Sequence, residues 1–432
     1  MASEFAIHVD WVSDDFGPDE LRHTSALITI AVNHRIVTRV EDEWSKTVRP
    51  EVRLPAYPLA LWFASSWWRL EWEPPPPGPV TLSWRMAHEM AAAGQGLLWP
   101  PITFESDGEM LDISWHPTEL SPAEPVRYLD NHHNTVPLGV FEDAIDAFVE
   151  LTLARLDAMG IEGRALRSLW REVSEERRTE AAARYRQIEA RLGFDPDDAR
   201  EGAVNDLVSL AAKAGGDAVN EIATACAVSE NPVGVLREII HRTSASRIEA
   251  RMQPTPELKR ASARSGPMET AGARGFRLAH VARAAWGLES GPVTDQTLSE
   301  LLSIQDEVLK NQSERSLAPV GLAIRNGRAD KLELLFQRRS RTGRRFEASR
   351  FMADNLTAPP ADHWLPATSA RTARQKLQRA FAIELLAPID DLVDHLSGDY
   401  SDEAFDEAGY YYGISPLAVQ SHLANKGVIP RF

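Results

Sequence analysis

GRRFEASRFMADNL, residues 343–356, is the stretch on which the fold turns. It reads as a helix, with Arg350 and Asp354 four residues apart on one face, where opposite charges can pair. No histidine lies between His280 and His363, so shifting the register brings no imidazole onto this helix. Upstream, QRRSRTGRRFEASR sets Arg338, Arg339, Arg341, Arg344, Arg345 and Arg350 against the single acid Glu347. Such a run either binds phosphate, nucleic acid or an acidic partner surface, or solvates a loop between strand and helix. Downstream, Leu377, Phe381 and Glu384 share one stripe of the next helix, and a glutamate on an apolar stripe needs a partner.

The surrounding chain has 432 residues, room for two or three domains. It is 43% hydrophobic and 25% charged, a globular balance. A net charge of −16 disfavours nonspecific nucleic-acid binding over the whole surface. Cys226 is the only cysteine, which excludes an intrachain disulfide and a cysteine-rich metal cluster. The start, MASEFAIHVDWVSDD, has acids where a signal peptide needs a basic then apolar run, and no apolar run reaches the length of a membrane span, about 18 residues. A cytoplasmic, bacterial protein without a membrane partner is expected.

The expected architecture is α+β and helix-rich. Residues 1–137 hold nine of the twelve tryptophans and read as a Trp-rich α+β domain. SALITIAVN (25–33) reads as a strand, and Asp107-Gly108 joins two more in TFESDGEMLDISW. PLALWFASSWWRL (58–70) and WRMAHEMAAAGQG (84–96) read as helices, the second ending at glycine. Residues 138–250 form a helical region that includes SASRIEARM, with Ser174 as an N-cap. Residues 251–273, rich in Pro, Ser, Gly and Arg, read as a linker or exposed loop. Residues 274–432 form the last domain, with two strands around Asn326-Gly327 and three or four closing helices.

Three other clusters could carry chemistry. His88-Glu89 lacks a second histidine at i+4, where Ala92 stands, so it fails as a zinc-peptidase motif. Asp130, His132 and His133 suit a metal by chemistry, but adjacent histidines diverge unless the loop bends, and no third partner is identifiable. The tail has the outline of a helix-turn-helix, which would offer Gln420, Ser421 and Asn425 to base edges. Asp402, Glu403, Asp406 and Glu407 on its first helix would repel phosphates and favour a structural hairpin. Trp62, Phe63 and Trp67 are spaced for a helix core rather than for stacking a ligand.

Residues 274–432 resemble the ImmA/IrrE family of HExxH metallopeptidase-like proteins. FRLAHVARAAWGLESGPVTDQTLSELLSI looks like the family's leading helix and turn, GRRFEASRFMADNL like the start of its zinc helix, RAFAIELLAPIDDL like its Phe-Ala-x-Glu-Leu-Leu-x-Pro stretch, and YYYGISPLAVQSHLANKGVI like its terminal helical pair. The resemblance implies a zincin-like fold. It sets Arg350 and Phe351 where His-Glu would stand, Asp354 in place of the second histidine, and Gln375 and Leu377 at the glutamate-rich positions. Arginine offers no free lone pair to zinc, and phenylalanine cannot act as a base. The former-site positions are therefore Arg350, Phe351, Asp354 and Glu384, with Arg350 expected to supply the lost positive charge by pairing with Asp354 or Glu384.

These departures imply a pseudopeptidase with no catalytic residues, no metal and no cofactor. The resemblance implies regulation or sensing through protein contacts in stress response, toxin–antitoxin or phage-defence settings. Arg338, Arg339, Arg341, Arg344 and Arg345 would serve as an anion- or partner-binding surface. Two alternatives stay open: a metal-dependent peptidase with a site elsewhere, such as His132 and His133, and a DNA-binding regulator using the C-terminal hairpin.

Overall fold

The computed structural model describes all residues except 1–3, 16, 122–123, 200, 228, 230, 244–246, 253, 267, 289, 311–319, 327–329 and 431–432, and only the backbone of residue 201. The chain is α+β and helix-rich, in two compact units, Met1–Asn205 and Asp206–Phe432.

In the first unit, β1 (Phe5–Trp11) runs antiparallel to β2 (Ser25–Val32), with α1 (Asp19–His23) between them. Asn33 and His34, both at positive φ, turn β2 back into β3 (Arg35–Ile36). The strands β4 (Val40–Asp42) and β5 (Thr47–Arg49) pair, and β6 (Val52–Pro55) returns to β2. Alternation of apolar residues buries Ala26, Ile28, Ile30 and Val32 of β2 beneath α2 (Ala56–Trp72). After α3 (Leu82–His88) come β7 (Ile102–Ser106) and β8 (Met110–Trp115), the expected hairpin at Asp107-Gly108, with Gly108 at φ 93. β9 (Val126–Tyr128) joins β4, and β10 (His132–Pro137) joins β8. The helices α4 (Leu138–Ala158), α5 (Arg164–Arg178) and α6 (Glu180–Arg191) pack on α2. Phe5, Phe63, Phe104 and Phe141 meet edge-on or tilted, and Trp67 and Trp170 meet at 77°. Trp62, Trp67, Trp68, Trp84, Trp99 and Trp115 are buried, as helical spacing foretold for the α2 set.

Two expected helices differ. The one over 84–96 breaks at Glu89, whose extended backbone bridges to Thr103, and resumes as a single 3-10 turn, Met90–Ala93. Ser174 is no N-cap: it lies inside α5, its hydroxyl donating to the Trp170 carbonyl, and the helix breaks at Thr179 instead.

In the second unit, α7 (Glu201–Ala214), which crosses the division, leads to α8 (Gly216–Ala227) and α9 (Pro232–Arg242). RIEAR, expected to be helical, is instead strand β11 (Ile248–Arg251), and the expected linker contains α10 (Pro256–Ser262), whose cap Thr255 accepts from the Leu258 amide. The helical region 138–250 is thus shared between the units, and the C-terminal unit begins well before residue 274. Next come α11 (Ala271–Ala285), α12 (Asp295–Leu302), α13 (Asp306–Lys310), β12 (Gly321–Arg325) and β13 (Lys331–Leu335). The turn expected at Asn326-Gly327 lies partly outside the described residues. Last are α14 (Arg341–Thr357), β14 (Trp364–Ala367), α15 (Ala373–Leu386), α16 (Ile389–Leu396), α17 (Asp402–Tyr412) and α18 (Pro416–Asn425). The four strands form an antiparallel sheet ordered β11-β13-β12-β14. The helix α15 lies between α11 and α14. Gly275 makes the close approach to α15 possible, because a Cβ there would collide with the Leu377 carbonyl oxygen.

Candidate functional site

The centre of the C-terminal unit is a buried polar seam between α14 and α15. Ser340 starts α14 by accepting from the Gly343 amide, 3.1 Å away. Two turns in, the Glu347 carboxylate accepts from the Gln337 and Arg338 amides at 2.9 and 3.1 Å. Next comes Arg350, only 7% exposed. Its Nη2 donates to the Thr368 carbonyl at 2.7 Å and to Gln375 Oε1. Gln375 Oε1 also accepts from the Thr368 amide (2.9 Å), and its Nε2 donates to the Pro366 carbonyl (2.9 Å). Arg350 Nε has no hydrogen-bond partner among the described residues. Burial, reinforced by the nearby charge of Arg379, pushes the Arg350 guanidinium down to about 9.

The expected pairing of Arg350 with Asp354 or Glu384 is not what forms. Arg374 claims Asp354 instead, Nε to Oδ1 and Nη2 to Oδ2, both at 2.8 Å, and reaches Asp362 through Nη1 at 2.6 Å. A guanidinium fork matches a carboxylate edge, so this bidentate bond excludes a second arginine from the same edge. Burial works against the Arg374 charge, but the two carboxylates outweigh it and hold the guanidinium above its ordinary value. Phe351, fully buried, stacks at a tilt on Phe336, and Leu377 belongs to the same core.

Glu384 finds its partners elsewhere. His280 of α11 sets Nε2 3.0 Å from Oε1, and His422 of α18 sets Nε2 3.1 Å from Oε2, as an ion-pair contact without hydrogen-bond alignment. Glu384 and His422 are fully buried, whereas the His280 side chain is 57% exposed. Burial opposes ionisation of Glu384, but His422 and His280 outweigh it and hold the carboxyl below its usual range. The sequence showed that Glu384 needed a partner. It carried no signal for His280 or His422, which arrive from distant helices.

The arginine run divides. Arg345 is 1% exposed and binds Asp295, the Val293 carbonyl and the Gly413 carbonyl, tying α14 to α12 and to the end of α17. Arg344 is buried against the Arg338 and Val308 carbonyls, with its guanidinium 5.3 Å from the Phe336 ring centroid. Arg341 is held by Asp295 at 2.6 and 2.9 Å. Only Arg338 and Arg339 stand exposed without an ion pair among the described residues, so the five do not form an anion-binding surface.

In the N-terminal unit, His132 and His133 are exposed, whereas His88 takes a buried structural place. His132 and His133 are consecutive on β10 and so face opposite sides of its sheet. Arg35 sits 3.0 Å from His132 Nε2, and Asp130 is engaged by Arg39. Among the described residues no group of three or more His, Cys, Asp or Glu side chains could hold a metal ion. His88 is fully buried between the Phe104 carbonyl (3.0 Å) and Glu73 (3.1 Å), stacked on Trp84, while Arg69 bonds Glu73 at 2.6 Å. In the tail, Gln420 is half-buried, Ser421 and Asn425 are exposed, and all four acids of α17 face solvent. No described helix is long and apolar enough to cross a membrane.

Comparison of the chain with family models, with curated proteins and with solved structures gives no match.

Proposed function

We propose that the C-terminal unit is an ImmA/IrrE-like, zincin-like scaffold without peptidase chemistry, and that the protein regulates or senses by contacting another protein. The resemblance supplies the setting: stress response, toxin–antitoxin or phage defence. The bonding of Arg350 carries the reading. By the resemblance, residue 350 takes the place of the first histidine and residue 375 one of the glutamate-rich positions, and here a cation on one holds the amide oxygen of the other. Arg374 ties Asp354, which takes the place of the second histidine. Phe351 occupies the position of the general base and is core. Each of these side chains is engaged in a way that suits support: Arg350 and Phe351 have no lone pair for a metal, and Arg374 neutralises the charge of Asp354. Contact with a protein is supported by the exposed side of the terminal helices, where Tyr410 is 88% and Leu417 70% exposed beside the acids of α17.

Metal analysis and a peptidase assay on the purified chain test this. The wild type is expected to carry no stoichiometric zinc and to cleave nothing, whereas R350H/F351E/D354H/Q375E takes up zinc. One zinc per wild-type chain, removed by chelator together with peptidase activity, overturns it.

A further inference from the structure

A pocket of about 300 Å³ opens on the N-terminal unit between α1, α2 and the 3-10 turn. Its walls include Leu21, Tyr57, Leu61 and Trp62, with Glu20 and Gln95 as polar members. That volume is at the lower end of small-molecule sites, which combine apolar walls with a few orienting polar groups.

The charge inside is one-sided. Among the described residues of the lining, Glu20 contributes the only carboxylate, and none is Lys, Arg or His. Glu20 is half-buried, and its carboxylate has no cationic partner among the described residues. The neighbouring cation, Arg22, is taken by Asp19 at 2.6 Å. The Glu20 backbone carbonyl accepts from the Thr24 hydroxyl, which leaves the side chain free of that bond. The rim beside it is built with care: Gly94, Gln95 and Gly96 all have positive φ, and Trp99 Nε1 pins the loop by donating to the Gly94 carbonyl at 2.9 Å. A glutamine in the left-handed region is uncommon, and here it places a side chain on the mouth of the pocket.

An unpaired carboxylate beside Tyr57 and Trp62 is the chemistry that recognises an ammonium. The carboxylate supplies charge-assisted hydrogen bonds, and the ring faces attract positive charge. We infer that this pocket binds a small organic cation, an ammonium carried on a compact apolar or aromatic body. The inference concerns the N-terminal unit and stands apart from the reading of α14 and α15.

Three compounds of one skeleton test it on the full chain: phenethylamine, protonated at neutral pH, neutral 2-phenylethanol, and phenylacetate. Affinities are read by calorimetry or ligand-detected NMR. Phenethylamine is expected to bind about tenfold more tightly than the alcohol, in line with one charge-assisted contact, and phenylacetate most weakly. Glu20→Gln is expected to bring the amine down to the level of the alcohol and leave the alcohol unchanged. Ala92→Phe, which fills the pocket, is expected to weaken the amine and the alcohol together, in protein whose circular dichroism matches the wild type. Absence of saturable amine binding, equal affinity for all three compounds, or an amine preference that survives Glu20→Gln overturns the inference.

Discussion

The carboxylate of Asp354 receives two parallel hydrogen bonds from Arg374, each 2.8 Å long, although Asp354 is only 1% exposed. Removing Arg374 strands Asp354 and Asp362 in the interior, which costs about 3–5 kcal/mol, whereas removing Asp354 leaves Arg374 paired with Asp362. R374M is expected to lose that much protection in hydrogen exchange of the α14 and α15 amides, and D354N less, because Asp362 still holds Arg374. The double variant D354N/R374M should cost less than the sum of the two. Additive costs would mean the two side chains are not coupled.

Glu384 makes the acid limb of stability measurable. Its folded carboxyl is held below the ordinary value by His422 and His280, so the unfolded chain binds the proton first as pH falls. The stabilisation is complete above the usual carboxylate range, begins to fade as pH drops through about 4.5, and is gone below the folded value. E384Q is expected to be less stable than wild type at pH 6, with the gap closing towards pH 3. Amide exchange in α15 and α18 across that range is the measurement.

Glu71 has the opposite sign. It is 5% exposed, its Oε2 accepts from Trp72 Nε1 at 2.9 Å, and its Oε1 has no hydrogen-bond partner among the described residues. Burial, with the charge of Glu142 nearby, holds its carboxyl well above the ordinary value. Its contribution is therefore full below the unfolded value of about 4.5 and is lost as pH rises towards the folded one. E71Q is expected to be more stable than wild type at pH 7 and to match it near pH 4. Urea unfolding followed by tryptophan emission reads this, because nine of the twelve tryptophans lie in the first 137 residues.

Local chemistry made much of the fold legible. Asp107-Gly108 specified a hairpin because its turn needs a positive φ. The apolar spacing of α2 specified that Trp62, Phe63 and Trp67 are buried. Where reading failed, a distant partner decided. RIEAR fits a helix by spacing and becomes a strand only because β13 pairs with it. The break at Thr179 has no glycine or proline beside it to announce it. At the candidate site, the need of Arg350 for acceptors was readable, but backbone carbonyls such as Thr368 leave no trace in sequence, and neither does the competition from Arg374. The arginine run looked like surface by composition, whereas Arg344 and Arg345 are internal clamps on carbonyl oxygens.

The strand β11 has a practical consequence for dissecting this molecule. It forms one border of the C-terminal sheet, and it comes from before the stretch that the family resemblance would select. A fragment cut at residue 274 would strip that border and leave the β13 amides and carbonyls bare, a template for strands of other molecules. Such a fragment should precipitate or pair with itself, and any binding it displayed would report the wound rather than the native surface. Fragments that begin ahead of α8 keep the border sealed, so the natural unit of dissection is set by a four-residue strand and not by the limits of sequence similarity.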